Sequence, residues 1–250
     1  MLRLFKKAPK IDATAALDAV QSAVYAHLKP YGFRKYGRTL HRFVSGDISQ
    51  VIHFQCGRPA KTFCVNVGIR IPECAERSFA PQTTRKYYHE YECTMRSRLG
   101  AVRGKEEAWY DLRKDTHGIA HRILRELEQT VLPVFDLLSS REAILLHRRD
   151  YPSFDVFDGG ILLDDCMIYG CMGEREKAKE AFDAYYRQAV AEYEDKTKNG
   201  ERYYLKKGER IVYMGQDITA RKNGYVTLYG ADHSHIDYLD KLAAELGLRQ

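Results

Sequence analysis

Apolar residues recur at three- and four-residue spacing in "IDATAALDAVQSAVYAHLKPYGF", where Leu17, Val20, Val24 and Leu28 form one stripe behind Asp12. That spacing predicts an amphipathic helix, capped by Asp12 and stopped by Pro30 and Gly32. The period then falls to two. In "ISQVIHFQC", Ile52, Phe54 and Cys56 share one face and Val51, His53 and Gln55 the other, because side chains alternate along a strand. "TFCVNVGIRI" repeats the pattern, with Phe63, Val65, Val67, Ile69 and Ile71 opposite Cys64, Asn66, Gly68 and Arg70. Gly57 and Pro59 between the two runs predict a hairpin, and Gly46-Asp47 predicts the turn before it.

Beyond the polar, irregular stretch "PECAERSFAPQTT", the run "YHEYECTMRSRL" alternates again, with Tyr91, Cys93, Met95 and Leu99 facing one way and Glu92, Thr94, Arg96 and Arg98 the other. "EEAWYDLRKD" reads as a short closing strand. Helical spacing returns in "HGIAHRILRELEQTVLPVFDLL", stopped or kinked near Pro133, and in "SREAILLHRR" with Ser140 as cap. After a turn-rich connector, residues 161 to 195 read as an αα-hairpin around Gly170 and Gly173. The tail is β- or loop-like up to "GYVTLYG", and a last helix starts at Ser234, where "SHID" resembles a capping box.

These elements make an α+β fold: an antiparallel sheet of four or five strands, with the first helix and the 117–138 helix on its apolar face. Residues 1–150 form the sheet domain. Residues 151–250 are a mostly helical C-terminal extension, expected to pack on the sheet domain because its mixed pattern gives it little core of its own.

The polar positions of the strands raise the question of function. If the strands pair as described, His53, Gln55, Asn66, Arg70, Arg96 and Arg98 lie on one surface, with His41 as a further neighbour. They are hydrogen-bond donors suited to a carboxylate or phosphate. An antiparallel sheet also has one wet face as a matter of course, so alternation alone does not make this a site. Asp232, His233, His235 and Asp237 are metal-ligand types at a spacing that fits helix capping better than a metal signature. Asp164 and Asp165 are adjacent on a helix, do not face the same way, and read as a solvated face. The six cysteines contain no Cys-x-x-Cys pair and read as reduced, small apolar side chains. No catalytic residue, metal site or cofactor is assigned, since no nucleophile-elbow, phosphate-loop, dinucleotide or zinc-protease pattern occurs.

The net charge of +6 is uneven: residues 1–116 hold 21 Lys+Arg against 11 Asp+Glu, residues 117–250 hold 19 against 23. The segment "MLRLFKKAPK" is no signal peptide and no stretch is long and apolar enough to span a bilayer, so a cytoplasmic location without a membrane partner is expected.

The segments "LKPYGFRKYGRTLHRF" (28–43), "QVIHFQCGR" (50–58), "FCVNVGI" (63–69) and "WYDL" (109–112) resemble, in content and order, the bacterial domain-of-unknown-function family 4304 over about residues 11–138. The resemblance implies a bacterial cytosolic α+β protein and brings no established activity. Function is therefore read as a non-enzymatic binding module, of an immunity or antitoxin-like kind, whose basic half meets an acidic protein surface. One alternative is an enzyme or binding protein for a phosphate- or carboxylate-bearing small molecule on the polar sheet face, which requires a pocket. A second is nucleic-acid binding by the basic N-terminal half, which requires steep salt dependence.

Overall fold

A computed structural model describes residues 12–57, 61–82, 85–103, 109–154, 160–213 and 215–249. The N-terminal "MLRLFKKAPK", Pro59 of the hairpin loop and residues 106–108 of "EEAWYDLRKD" lie outside the described residues. Helix α1 (Ala13–Leu28) begins where the Asp12 carboxylate accepts the amides of Thr14 and Ala15, satisfying two of the donors a helix start leaves open. Its stripe, Leu17, Val20, Val24 and Leu28, is buried as the periodicity requires. Gly32, in the left-handed region at φ 86°, turns the chain into the sheet.

Strands β1 (Arg34–Tyr36), β2 (Thr39–Val44), β3 (Ile48–Cys56) and β4 (Thr62–Arg70) follow one another as antiparallel neighbours. After a short helix, α2 (Pro72–Glu76), strand β5 (Met95–Arg98) pairs with the second half of β4. The two-residue β6 (Tyr110–Asp111) pairs with the start of β4, so β5 and β6 share one edge and the sheet has six strands. The expected strand from Tyr91 starts only at Met95. Residues Glu90–Glu92 instead form a 3-10 turn, closed by Glu92 accepting the His89 amide.

Helix α3 (Thr116–Glu126) passes through a π-turn (Leu127–Val131) into α4 (Leu132–Leu137). Pro133 has no amide to bond the carbonyl four residues back, and the widened turn before it is where the ladder absorbs that loss. Helix α5 (Arg141–His147) is capped by Ser140, whose hydroxyl accepts the Ala143 amide. Ile52, Phe54, Phe63, Val65, Val67 and Ile69 of the central strands are buried on the helix side. Two amides cross that layer: Gln21 donates to the Gly37 carbonyl at 2.9 Å, and buried Gln50 donates to that of Phe135.

Residues 1–159 and 160–250 are two compact units. In the second, α6 (Ile161–Cys171) and α7 (Arg175–Asn199) form the expected hairpin, turning at Gly173 with φ 82°. Asp164 and Asp165 are buried, correcting the solvated face read from sequence: α6 is enclosed at every position from Leu163 to Ile168. Four short strands follow, β7 (Glu201–Leu205), β8 (Arg210–Tyr213), β9 (Gln216–Thr219) and β10 (Gly224–Leu228), pairing as two ribbons, β7 with β10 and β8 with β9. Helix α8 (Ser234–Glu245) ends the unit. Its start is held by Asp232, which accepts the Ser234 amide at 2.9 Å and the Ser234 hydroxyl at 2.8 Å. The cap is thus two residues earlier than the "SHID" pattern predicts. Among the described residues no helix is long and apolar enough to cross a membrane.

Candidate functional site

The strand register places every residue singled out in the sequence on one face. His53 lies opposite Asn66, and Asn66 opposite Arg98; Gly68 sits between Val51 and Arg96; Arg70 faces Ser49, and Gln55 faces Cys64. Strand β2 adds Thr39, His41 and Phe43, which face His53, Val51 and Ser49. This surface is not the solvated side of the sheet. Thr39, His41, Ser49, Val51 and Cys64 are all buried, and Asn66 and Arg70 are only 7% and 5% exposed.

What covers it is the chain between β4 and β5, in the described residues 71–82 and 85–94. Tyr88, itself buried, lies under the Arg70 guanidinium at 3.9 Å and beside His41 and Phe43. Tyr87 stacks on Tyr36 with ring centroids 4.6 Å apart. Glu90 accepts from the Asn66 amide at 3.3 Å, and Asn66 also donates to Gln55 at 2.8 Å. A β-carbon at Gly68 would sit 2.7 Å from that of Cys93, so the absence of a side chain there lets the covering strand approach. The signal for this cover was the run "YYHEY" at 87–91, an aromatic cluster where the polar, irregular stretch passes into the alternating run.

The cover is anchored at both ends. Arg70 pairs with Glu76 at 2.8 Å just past the end of β4, and the Ile71 amide donates to Thr94 at 3.2 Å where the segment returns. At the root, fully buried Glu73 takes a two-pronged contact from Arg141, which also grips Asp47 at the β2–β3 turn. Burial alone would lower the Arg141 pKa, but the hydrogen bonds it donates to Asp47 and Glu73 outweigh it and hold the guanidinium more firmly protonated than usual.

The electrostatics of the face follow from its enclosure. Burial pushes His41 down to about 4, leaving it neutral at physiological pH. His53 is lowered too, first by burial, with Glu90 opposing and His89 and Arg38 adding to the shift. A neutral His53 makes its 3.9 Å approach to Glu90 a polar contact, and its Nδ1 lies 3.0 Å from the Thr39 hydroxyl. The Cys93 thiol is pushed up by burial and by Glu90, which makes it an inert core group. Four buried polar atoms on this face have no hydrogen-bond partner among the described residues: His41 Nε2, Ser49 Oγ, Arg70 Nη1 and Glu90 Oε2.

At the margin of the same layer, contacts from the buried face reach two exposed aromatics. Trp109 packs beside Arg98 at 5.4 Å, Arg98 is the neighbour of Asn66, Asn66 reaches Glu90, and His89 stacks on Tyr91 at 5.1 Å. Tyr91 is 63% and Trp109 42% exposed. Of the cysteines, Cys64, Cys74, Cys93 and Cys166 are buried as small apolar groups, whereas Cys56 is exposed.

The chain matches the DUF4304 family, a domain of unknown function, over residues 24–137. That span runs from the second half of α1 to the end of α4, and so takes in the sheet, its cover and helices α3 and α4. Comparison with curated proteins and with solved structures finds no match.

Proposed function

We propose that this DUF4304 protein is a non-enzymatic cytosolic binding module, immunity- or antitoxin-like, that docks onto the acidic surface of another protein. The observation that carries this reading is the direction in which the face spends its side chains. Asn66 and Arg70 are taken up inside the fold, while Tyr91 and Trp109 stay exposed at its margin. Exposed aromatics beside arginine are the residue types that anchor protein interfaces. Residues 1–159 carry 26 Lys+Arg against 18 Asp+Glu, so an acidic partner is favoured electrostatically. The proposed contact surface is the exposed margin formed by Tyr91 and Trp109, with the strand donors themselves outside it.

The test is affinity capture from the native host's lysate with wild type and a Tyr91→Ala, Trp109→Ala variant of unchanged unfolding temperature. A partner held by the wild type and lost by the variant is expected. Equal retention by both proteins, or none by either, contradicts the reading.

A second reading, a site for a phosphate- or carboxylate-bearing small molecule, draws on one observation. Ser49 and Arg70 are paired across two strands, and each buries a polar atom without a protein partner. Stabilisation of the wild type by millimolar inorganic phosphate or citrate, absent in Arg70→Met, would favour it over the first.

A further inference from the structure

Helix α3 carries two histidines that neither the fold nor the proposed interface uses. His117 and His121 are four residues apart, a spacing that stacks side chains on one face of a helix. Both are exposed, their ring centroids are 4.4 Å apart at 60°, and their Nε2 atoms approach to 3.3 Å.

We propose that His117 and His121 chelate a divalent transition-metal ion of the zinc type. Two nitrogens bound at about 2.0–2.1 Å with a tetrahedral angle between them lie about 3.3–3.4 Å apart, whereas neighbouring positions of a square-planar or octahedral ion lie about 2.9 Å apart. The observed separation is the tetrahedral one. The backbone under the pair is fixed, since the Asp115 carboxylate accepts the His117 amide at 3.0 Å and caps the helix. The rings are thus presented from a rigid first turn, which lowers the ordering cost of binding.

Among the described residues no cluster of three or more ligand types surrounds a common point, so the chelate is two-coordinate from the protein and water fills the other positions. Such a site takes up and releases its ion readily. It lies on a surface separate from the cover of the sheet and does not depend on the proposed partner.

The experiment is calorimetric titration of the full chain with zinc chloride in a non-chelating buffer, run on wild type, His117→Ala, His121→Ala and the double variant. The wild type is expected to bind one equivalent more tightly than any other uptake in the chain. Each single variant should weaken that equivalent by about tenfold or more, because one imidazole loses the effective concentration the second supplied. Cobalt(II) in place of zinc should give the intense visible bands of a tetrahedral ion. Equal zinc uptake by wild type and double variant, no uptake at all, or weak octahedral cobalt bands would overturn the proposal. Both rings are exposed, so the metal-free variants are expected to unfold at the wild-type temperature, which separates loss of chelation from loss of fold.

Discussion

One face of the sheet is closed by helices over Ile52, Phe54, Phe63, Val65 and Val67, the other by residues 71–82 and 85–94 over Thr39, His41, Ser49, Asn66 and Arg70. Both faces are buried, but by different chemistry. The helix side gains from removing apolar area from water, a contribution that tolerates small rearrangements and needs few directed bonds. The covered side encloses polar groups whose burial costs free energy unless each is met, so it depends on Tyr88 under Arg70, Glu90 against Asn66 and Glu76 against Arg70. A polar residue on a strand is therefore not evidence of solvent. Here it marks a second interior that the chain covers with its own loop.

The sharpest way to separate the two faces is to damage each in turn. Phe54→Ala on the helix side should cost about 3–5 kcal/mol in urea unfolding, as truncation of a buried aromatic leaves a cavity that packing does not refill. A loss under about 1 kcal/mol would mean that the helix layer is loosely packed. At the root of the cover, Glu73→Ala should cost about 3 kcal/mol, because Arg141 stays half-buried with only Asp47 to meet it. In hydrogen exchange the same variant should expose residues 72–94 before the strands; simultaneous exposure of both would show that the cover is no separate layer.

Between about pH 6.5 and 4, above the range in which the lowered carboxylates Asp111 and Asp183 titrate, the pH dependence should come from the covered side. His41 has its folded pKa lowered to about 4 from an unfolded value of 6.5, so between those values the unfolded chain binds the extra proton. Its contribution is complete above about pH 6.5 and is lost as pH falls toward 4, and His53 adds in the same direction. The loss attributable to His41 should be roughly 2–3 kcal/mol, and His41→Gln should flatten most of the slope. An unchanged slope in that variant would place the titrating group elsewhere. The smallest effect should be Asp12→Ala, about 1 kcal/mol for a helix cap remote from both faces.

Much of this architecture was legible in the sequence because it rests on local rules. Period-two alternation in residues 50–71 placed His53, Asn66 and Arg70 on one surface, and the stripe Leu17, Val20, Val24, Leu28 placed α1. What alternation does not carry is which layer covers a face. Contacts such as Tyr87 on Tyr36 or Arg141 on Glu73 join residues far apart in sequence, and a polar loop that folds back reads the same as one that projects into water. Asp164 and Asp165 show the same limit, since helical spacing locates them but not the environment that encloses them. Gln50 is a further case, a buried amide on the helix side whose partner, the Phe135 carbonyl, comes from a helix 85 residues on.

The central claim is that the donors of the sheet serve the fold, and Arg70 tests it most directly because it carries both the Tyr88 stack and the Glu76 pair. Urea unfolding of Arg70→Ala should show a loss of roughly 2–3 kcal/mol, discounted for the partial exposure of Glu76. A loss below about 0.5 kcal/mol, the scale of a solvated surface substitution, would mean that Arg70 is free to meet a ligand and that the polar face is a binding surface after all.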